Sequence, residues 1–223
     1  MSSTAPNPIQ LHIPPALSSL RIPLSTFLAR KPDYNILAVG ACIFSPLHPS
    51  PSQQQTTSAS TSSPSTARLL LVQRASMESG FPNLWEIPGG SSEPSDPTIL
   101  HSVAREVFEE TGLTVCNFKG LVGEGVEFST GRSNKVKKWL KLAFEVEVME
   151  IPSPRHQSQR VAGSGAELRL EEIAIMLDPE EHQRYAWVTE EEVRGTGPGA
   201  YQITTKAQRE MMLQAFALHN ARS

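Results

Sequence analysis

The chain has 223 residues, a formal net charge of -3, 39% hydrophobic and 19% charged residues, a composition sufficient for one ordinary folded core. So small a net charge excludes a protein built for nonspecific duplex-DNA binding, and no apolar run approaches the ~20 residues that a membrane-spanning helix requires. Two cysteines, Cys42 and Cys116, exclude a disulfide scaffold; each lies in an apolar strand-like run and is expected to be a buried free thiol.

Residues 1–36 are rich in Ser and Pro and predict an arm along the domain, partly disordered, with a short helix after the cap-like Ser25 that stops before Pro32. The first residues lack a basic n-region and an apolar h-region, so the expectation is a soluble, cytoplasmic protein. Residues 36–44 and 68–74 read as strands. The insert 45–67 between them is dominated by Ser, Thr, Pro and Gln and predicts disorder. Together they describe a hairpin with a lengthened turn, which is inexpensive because loop-closure entropy grows only with the logarithm of length.

Residues 84–88 lead to the Gly89-Gly90 turn, and a helix follows. Strands are predicted over 115–123, 125–129 and 136–148. In the last, Val136, Leu140, Leu142, Phe144, Val146 and Val148 alternate as one apolar face, while Lys135, Lys137, Trp139 and Lys141 occupy the other. An irregular insert runs over 152–164. Strand character resumes at 172–177 and 186–189, and a final helix is predicted over 204–218 with Ala207, Met211, Met212, Ala215 and Leu218 on its apolar side. Mixed strands with flanking helices make the fold class α+β.

The segment from Gly90 to Leu113 carries the chemistry. Its helix is predicted to start after Asp96 or Pro97, with Asp96 as N-cap, and to stop near Thr111 with Gly112 in the left-handed conformation. Winding at about 100° per residue gathers Glu106, Glu109 and Glu110 into one arc and Leu100, Ala104, Val107 and Phe108 into another. Converging carboxylates repel one another unless water or a cation holds them, and a thiol-free oxygen cluster suits Mg²⁺ or Mn²⁺. A solvated acidic helix face is the plainer alternative; it leaves Gly89, Gly90 and Arg105 unexplained.

These residues resemble the box of the Nudix hydrolases, G-x5-E-x7-R-E-U-x-E-E-x-G-U with U apolar. Arg105, Glu106, Val107, Glu109, Glu110, Gly112 and Leu113 fill its second half, and Pro88, Gly89 and Gly90 resemble its lead-in. The first half departs: Asp96 stands where the pattern has Glu, and eight residues rather than seven separate it from Arg105. The resemblance implies a Nudix-type α/β/α sandwich with a mixed sheet over residues 37–220.

It also implies a metal-dependent hydrolase that cleaves the pyrophosphate bond of a nucleoside diphosphate linked to another moiety, a small-molecule diphosphate substrate. Glu106, Glu109 and Glu110, with the carbonyl of Gly89, are the expected ligands of Mg²⁺ or Mn²⁺. One of the three acids is expected to orient or deprotonate the attacking water, and which one is left open. Arg105 is expected to hold the Glu side chains in register through its planar guanidinium. Relatives take a further Glu from a loop before a late Trp-containing strand, for which Glu180 and Glu181, ahead of Trp187, are candidates.

Outside the box, Lys135, Lys137, Lys141 and Trp139 are weighed as phosphate and base contacts against a solvent-facing or edge role, which the alternation favours. Trp85 and Trp187 are expected to pack, Tyr185 and Phe81 are candidates for a pocket wall, and His101 is expected to be structural. Two other functions stay open on the same fold. A catalytically silent nucleotide sensor or protein-binding module is disfavoured by the complete acid set. A prenyl-diphosphate isomerase is disfavoured because no His stands near Cys42 or Cys116.

Overall fold

The computed structural model describes residues 11–45, 67–132, 135–149, 175–195 and 200–222. The inserts at 46–66 and 152–164, and the expected disorder of residues 1–10, lie outside the described residues. The N-terminal arm is a 3-10 turn, Pro15–Leu20, followed by helix α1, Leu24–Arg30. Helix α1 begins one residue before Ser25, with Pro23 as N-cap. Leu17 and Phe27 are buried in the main core, so the arm is part of the packed structure.

Six strands follow: β1 (Ile36–Ser45), β2 (Arg68–Arg74), β3 (Trp85–Glu86), β4 (Thr114–Thr130), β5 (Lys137–Met149) and β6 (His182–Val188). Helix α2 (Ile99–Thr111) lies between β3 and β4, and α3 (Glu190–Arg194) and α4 (Lys206–Arg222) follow β6. The sheet order is β3-β2-β1-β5-β4, with β6 on β2. β1 runs parallel to β5 from Ile36↔Trp139 to Ile43↔Val146, and the other pairings are antiparallel. The hairpin of β1 and β2 pairs only at its ends, Phe44↔Leu69 and Ser45↔Arg68.

Because side chains alternate across a strand, β1 feeds two cores. Leu37, Val39, Ala41 and Ile43 pack with Leu100, Val103 and Val107 of α2 and with the arm. Cys42 packs on the opposite face with Met211, Met212, Ala215 and Phe216 of α4. A mixed sheet between helical layers is the α+β sandwich expected from the sequence, and among the described residues no helix is long and apolar enough to cross a membrane.

Several expectations are corrected. The two strands predicted over 115–129 are the single strand β4; Gly123 and Gly125 have φ of 65° and 104° and sit where the register with β5 shifts between Val122 and Val126. The glycines therefore mark a bulge within a strand rather than a break. Of the strand predicted over 172–177, residues 172–174 lie outside the described residues and 175–177 are not a strand, although Met176 donates its N–H to Thr111 O at 2.9 Å. Thr189 leaves β6 to cap α3, accepting from Glu192 N while the Glu192 carboxylate takes the Thr189 N–H at 2.8 Å.

Lys141 is 6% exposed, because β5 lies between β1 and β4 and α4 covers the face on which an outward row of lysines was expected. Lys135 and Lys137 are exposed, and Trp139 stacks on Phe128 at 5.3 Å. Phe108, assigned to the packed side of α2, is 55% exposed, and His101 is exposed and bonded to Thr98 Oγ1 at 2.8 Å. Both cysteines are free: Cys42 is fully buried, which pushes its thiol up to about 12, whereas Cys116 is half-buried.

Phe144 of β5 is fully buried and meets Phe118 edge-on at 5.7 Å. Phe144→Ala is expected to cost about 3–5 kcal/mol in denaturant unfolding. A loss below about 1 kcal/mol would show that the sheet does not rest on this aromatic pair.

Candidate active site

The site forms where α2, the loop of residues 87–96 and the start of β6 meet. The loop needs glycine: Gly89 has φ of 145°, and a Cβ there would stand 2.2 Å from Val39 O. At Gly90 a Cβ would stand 2.6 Å from Glu106 Oε2, so the backbone lies directly on that carboxylate. Val39 N donates to Gly90 O and Ala41 N to Pro88 O, each at 2.8 Å, pinning the loop to β1.

Helix α2 delivers the acids. Its Thr98 N-cap makes no side-chain capping bond, and Gly112 closes the C-terminus with φ of 69° and its N–H on Phe108 O. Glu106 and Glu110 are buried and Glu109 is exposed. Glu110 Oε2 accepts the Gly89 N–H at 2.7 Å. The glycine turn therefore touches two of the three carboxylates.

Asp96 does not cap α2. It lies two residues before the N-cap, accepts the Glu93 N–H at 2.8 Å and takes Arg105 bidentately, Nε to Oδ1 at 2.9 Å and Nη2 to Oδ2 at 3.0 Å. The extra residue before the helix moves Asp96 off the cap and leaves it facing the guanidinium. Arg105 Nη1 donates to Glu106 Oε1 at 3.0 Å and Glu109 Oε2 at 2.8 Å, and Nη2 also reaches Ser91 O at 3.0 Å. One guanidinium thus joins three carboxylates and the loop backbone.

The charge balance is uneven. Hydrogen bonding to Asp96 raises the Arg105 pKa further, against its partial burial. Glu106 is raised to about 7 by burial, which Arg105 offsets only in part. Glu110 is raised well above the usual carboxylate range by burial, with Glu86 and Glu106 adding to it against the Gly89 N–H and Lys141. A carboxylate pair this poorly compensated is a strong candidate for cation binding.

Behind these acids lies a cluster that sequence patterning did not identify. Glu86 of β3, 6% exposed, bonds Arg74 Nη1 at 2.6 Å and lies 3.9 Å from both Lys141 Nζ and His182 Nε2. Burial would raise its pKa, but His182, Lys141 and Arg74 bring it down to about 2. Of the three, only Arg74 is within hydrogen-bonding distance. The available signal was the odd placement of Glu86 and Lys141 within apolar strand runs. Of the loop candidates, Glu181 offers a carboxylate oxygen to a group with Glu110 and His182 whose ligand atoms all lie within 4.8 Å of one another.

Trp85 packs edge-on against Tyr201 at 5.0 Å and Trp187 packs against the main core, as expected. Phe81 and Tyr185 are exposed at 53% and 43%.

The model of the NUDIX domain matches residues 61–208, well over half of the chain, so this chain belongs to the NUDIX domain family. It is 48% identical over 48 residues to the m7GpppN-mRNA hydrolase NUDT17 of Danio rerio; that match spans 22% of this chain and only 16% of that protein. Similar solved structures include the MutT protein of Methanosarcina mazei Go1, with 22% identity and a TM-score of 0.47 over 83% of this chain and 94% of that one. A C. elegans Ap4A hydrolase is similar at 15% identity and a TM-score of 0.47 over 83% and 98%. The NUDIX domain of Shewanella oneidensis NrtR, complexed with ADP ribose, matches at 15% identity and a TM-score of 0.47 over 89% and 99%.

The raised carboxylates set a pH dependence. An acid whose folded pKa exceeds its unfolded value holds its proton longer in the folded state, so stability falls as pH rises between the two. Glu106 and Glu110 place that loss from about pH 4.5 upward, through about 7 for Glu106. The depressed Glu86 acts in the opposite sense, but below about pH 4.5. In chelator, the melting temperature is expected to fall between pH 5 and 7, with a shallower slope in Glu106→Gln. An unchanged slope in that variant would refute the assignment.

Proposed function

We propose that this protein is a metal-dependent pyrophosphohydrolase acting on a nucleoside diphosphate linked to another moiety. The observation that carries the reading is the burial of Glu106 and Glu110 against the Gly89-Gly90 turn, with Arg105 bracing Glu106 and Glu109 from the side. Carboxylates buried with so little compensating charge fit a divalent cation, and the oxygen donors of Glu106, Glu109, Glu110 and the Gly89 carbonyl suit Mg²⁺ or Mn²⁺. Such an ion supplies neutralisation of phosphoryl oxygens and a lowered pKa for a bound water.

The protein's own groups do the rest. Arg105 keeps Glu106 and Glu109 aimed while Asp96 and Ser91 O hold the opposite side of the guanidinium. One of the helix carboxylates orients the attacking water and takes its proton. The Gly89 N–H holds Glu110 and ties the turn to the helix. Glu181, beside Glu110, adds a further acid from the turn just before β6.

A panel of diphosphate-linked substrates tests this reading: nucleoside triphosphates, nucleotide sugars, ADP-ribose, dinucleotide polyphosphates, inositol pyrophosphates and m7GpppN-capped RNA, with Mg²⁺ and with Mn²⁺. Capped RNA is included because of the short match to NUDT17. At least one substrate is expected to turn over, with oxygen-18 from water entering one phosphate product. Glu110→Gln is expected to lower the rate about 100-fold or more while the fold persists. Saturable nucleotide binding without turnover on any substrate would instead assign the chain to the nucleotide sensors.

A further inference from the structure

His182 opens β6 and is 2% exposed, yet neither Nδ1 nor Nε2 has a hydrogen-bond partner. A buried imidazole without a partner forfeits the hydration of both ring nitrogens, and native structures rarely leave such a group unsatisfied. The nearest carboxylate, Glu86, makes only a long contact with it, although that contact helps to hold Glu86 low. Glu86 Oε1 is taken by Arg74 at 2.6 Å and stands 3.9 Å from His182 Nε2, beyond hydrogen-bonding distance.

The same ring lies beside two of the site's acids. One imidazole nitrogen and one carboxylate oxygen each from Glu110 and Glu181 lie within 4.8 Å of one another. Glu110 is fixed by the Gly89 N–H, whereas Glu181 is exposed. Donor atoms this close can share a single cation.

We propose that His182 is a nitrogen ligand of the divalent-cation site, completing a mixed set with Glu110 and Glu181 that favours a first-row transition ion over Mg²⁺. The inference rests on the metal-dependent reading above. Its chemical basis is that Mg²⁺ is a hard ion that prefers oxygen and retains its waters, whereas Fe²⁺, Ni²⁺ and Zn²⁺ suit imidazole and Mn²⁺, although it also favours oxygen, accepts a nitrogen ligand more readily than Mg²⁺. Neutral imidazole is the commonest protein ligand for such ions. The site described from α2 alone is all oxygen; β6 contributes the nitrogen that changes its selectivity.

The test uses the full chain loaded with Mn²⁺ or with Mg²⁺. Pulsed electron paramagnetic resonance of the Mn²⁺ form is expected to show coupling to a directly bound ¹⁴N, replaced by a ¹⁵N signal when histidine alone is labelled with ¹⁵N. His182→Phe, which keeps a ring but no nitrogen, is expected to abolish the coupling and weaken Mn²⁺ binding about 10-fold or more, with less than about a 3-fold change for Mg²⁺. Should that variant fail to fold, the labelling experiment on the unmodified chain still decides the matter.

Absence of nitrogen coupling in the unmodified protein, or its persistence in His182→Phe, overturns the inference. Equal weakening of both ions overturns the selectivity. The broader reading fails separately. Mn²⁺ binding that disappears in Glu110→Gln but shows no nitrogen coupling leaves the acid site standing and removes His182 from it, whereas a protein that binds neither ion overturns both.

Discussion

The site depends on a single guanidinium. Arg105 spans Asp96, Ser91 O, Glu106 and Glu109, and so ties the loop before α2 to the helix that carries the acids. Like charges on one helix face repel at this spacing, and the fork supplies a fixed positive charge with directional bonds that a lysine could not reproduce. It reaches Glu106 and Glu109 but makes no contact with Glu110. That acid is held by a neutral backbone N–H instead, which orients the carboxylate without cancelling its charge. Glu110 therefore lacks the arginine's compensation where Glu181 and His182 also converge.

The sheet supplies the second requirement, a buried wall behind the acids. The parallel register of β1 with β5 puts Lys141 beside Ala38 and close to Glu86, inside a covered face rather than on the surface. Burying charge is costly unless it is paired, and Glu86 has Arg74, Lys141 and His182 around it. Farther along the same face of β5, Glu145 is buried between Arg222 and His219 of α4, with the His219 ring stacked on Phe44 at 4.1 Å. The last turn of α4 is therefore held by the Arg222–Glu145 ion pair and the His219–Glu145 hydrogen bond as well as by its apolar residues, which accounts for a helix extending past the predicted stop at residue 218.

Local patterns were informative where one residue's neighbours in the chain are also its neighbours in space. The αL stop at Gly112, the apolar positions Leu100 and Val107 and the grouping of Glu106 with Glu110 all follow from helical winding, and α2 has them. The start of α2 was misread because Asp96 has two possible partners. Backbone N–H groups were the local choice, but Arg105, nine residues on, supplies a stronger, charge-assisted pair. Likewise, the Gly123 and Gly125 pair resembles a turn until its partner strand β5 is present to continue the ladder.

From the order of amino acids alone came the acid-bearing helix, its arginine, the glycine turn and the α+β class, because each depends on contacts a few residues apart or on a motif of fixed spacing. The burial of Lys141, the Glu86 cluster, the proximity of Glu181 to Glu110 and the place of His182 came from assembly. Those positions are set by which strands lie side by side: β3 and β6 both pair with β2, and this brings Glu86 and His182 together although 95 residues of chain separate them. Strand alternation gives each residue a face, but only the completed sheet and its covering helices determine whether that face meets water or another side chain.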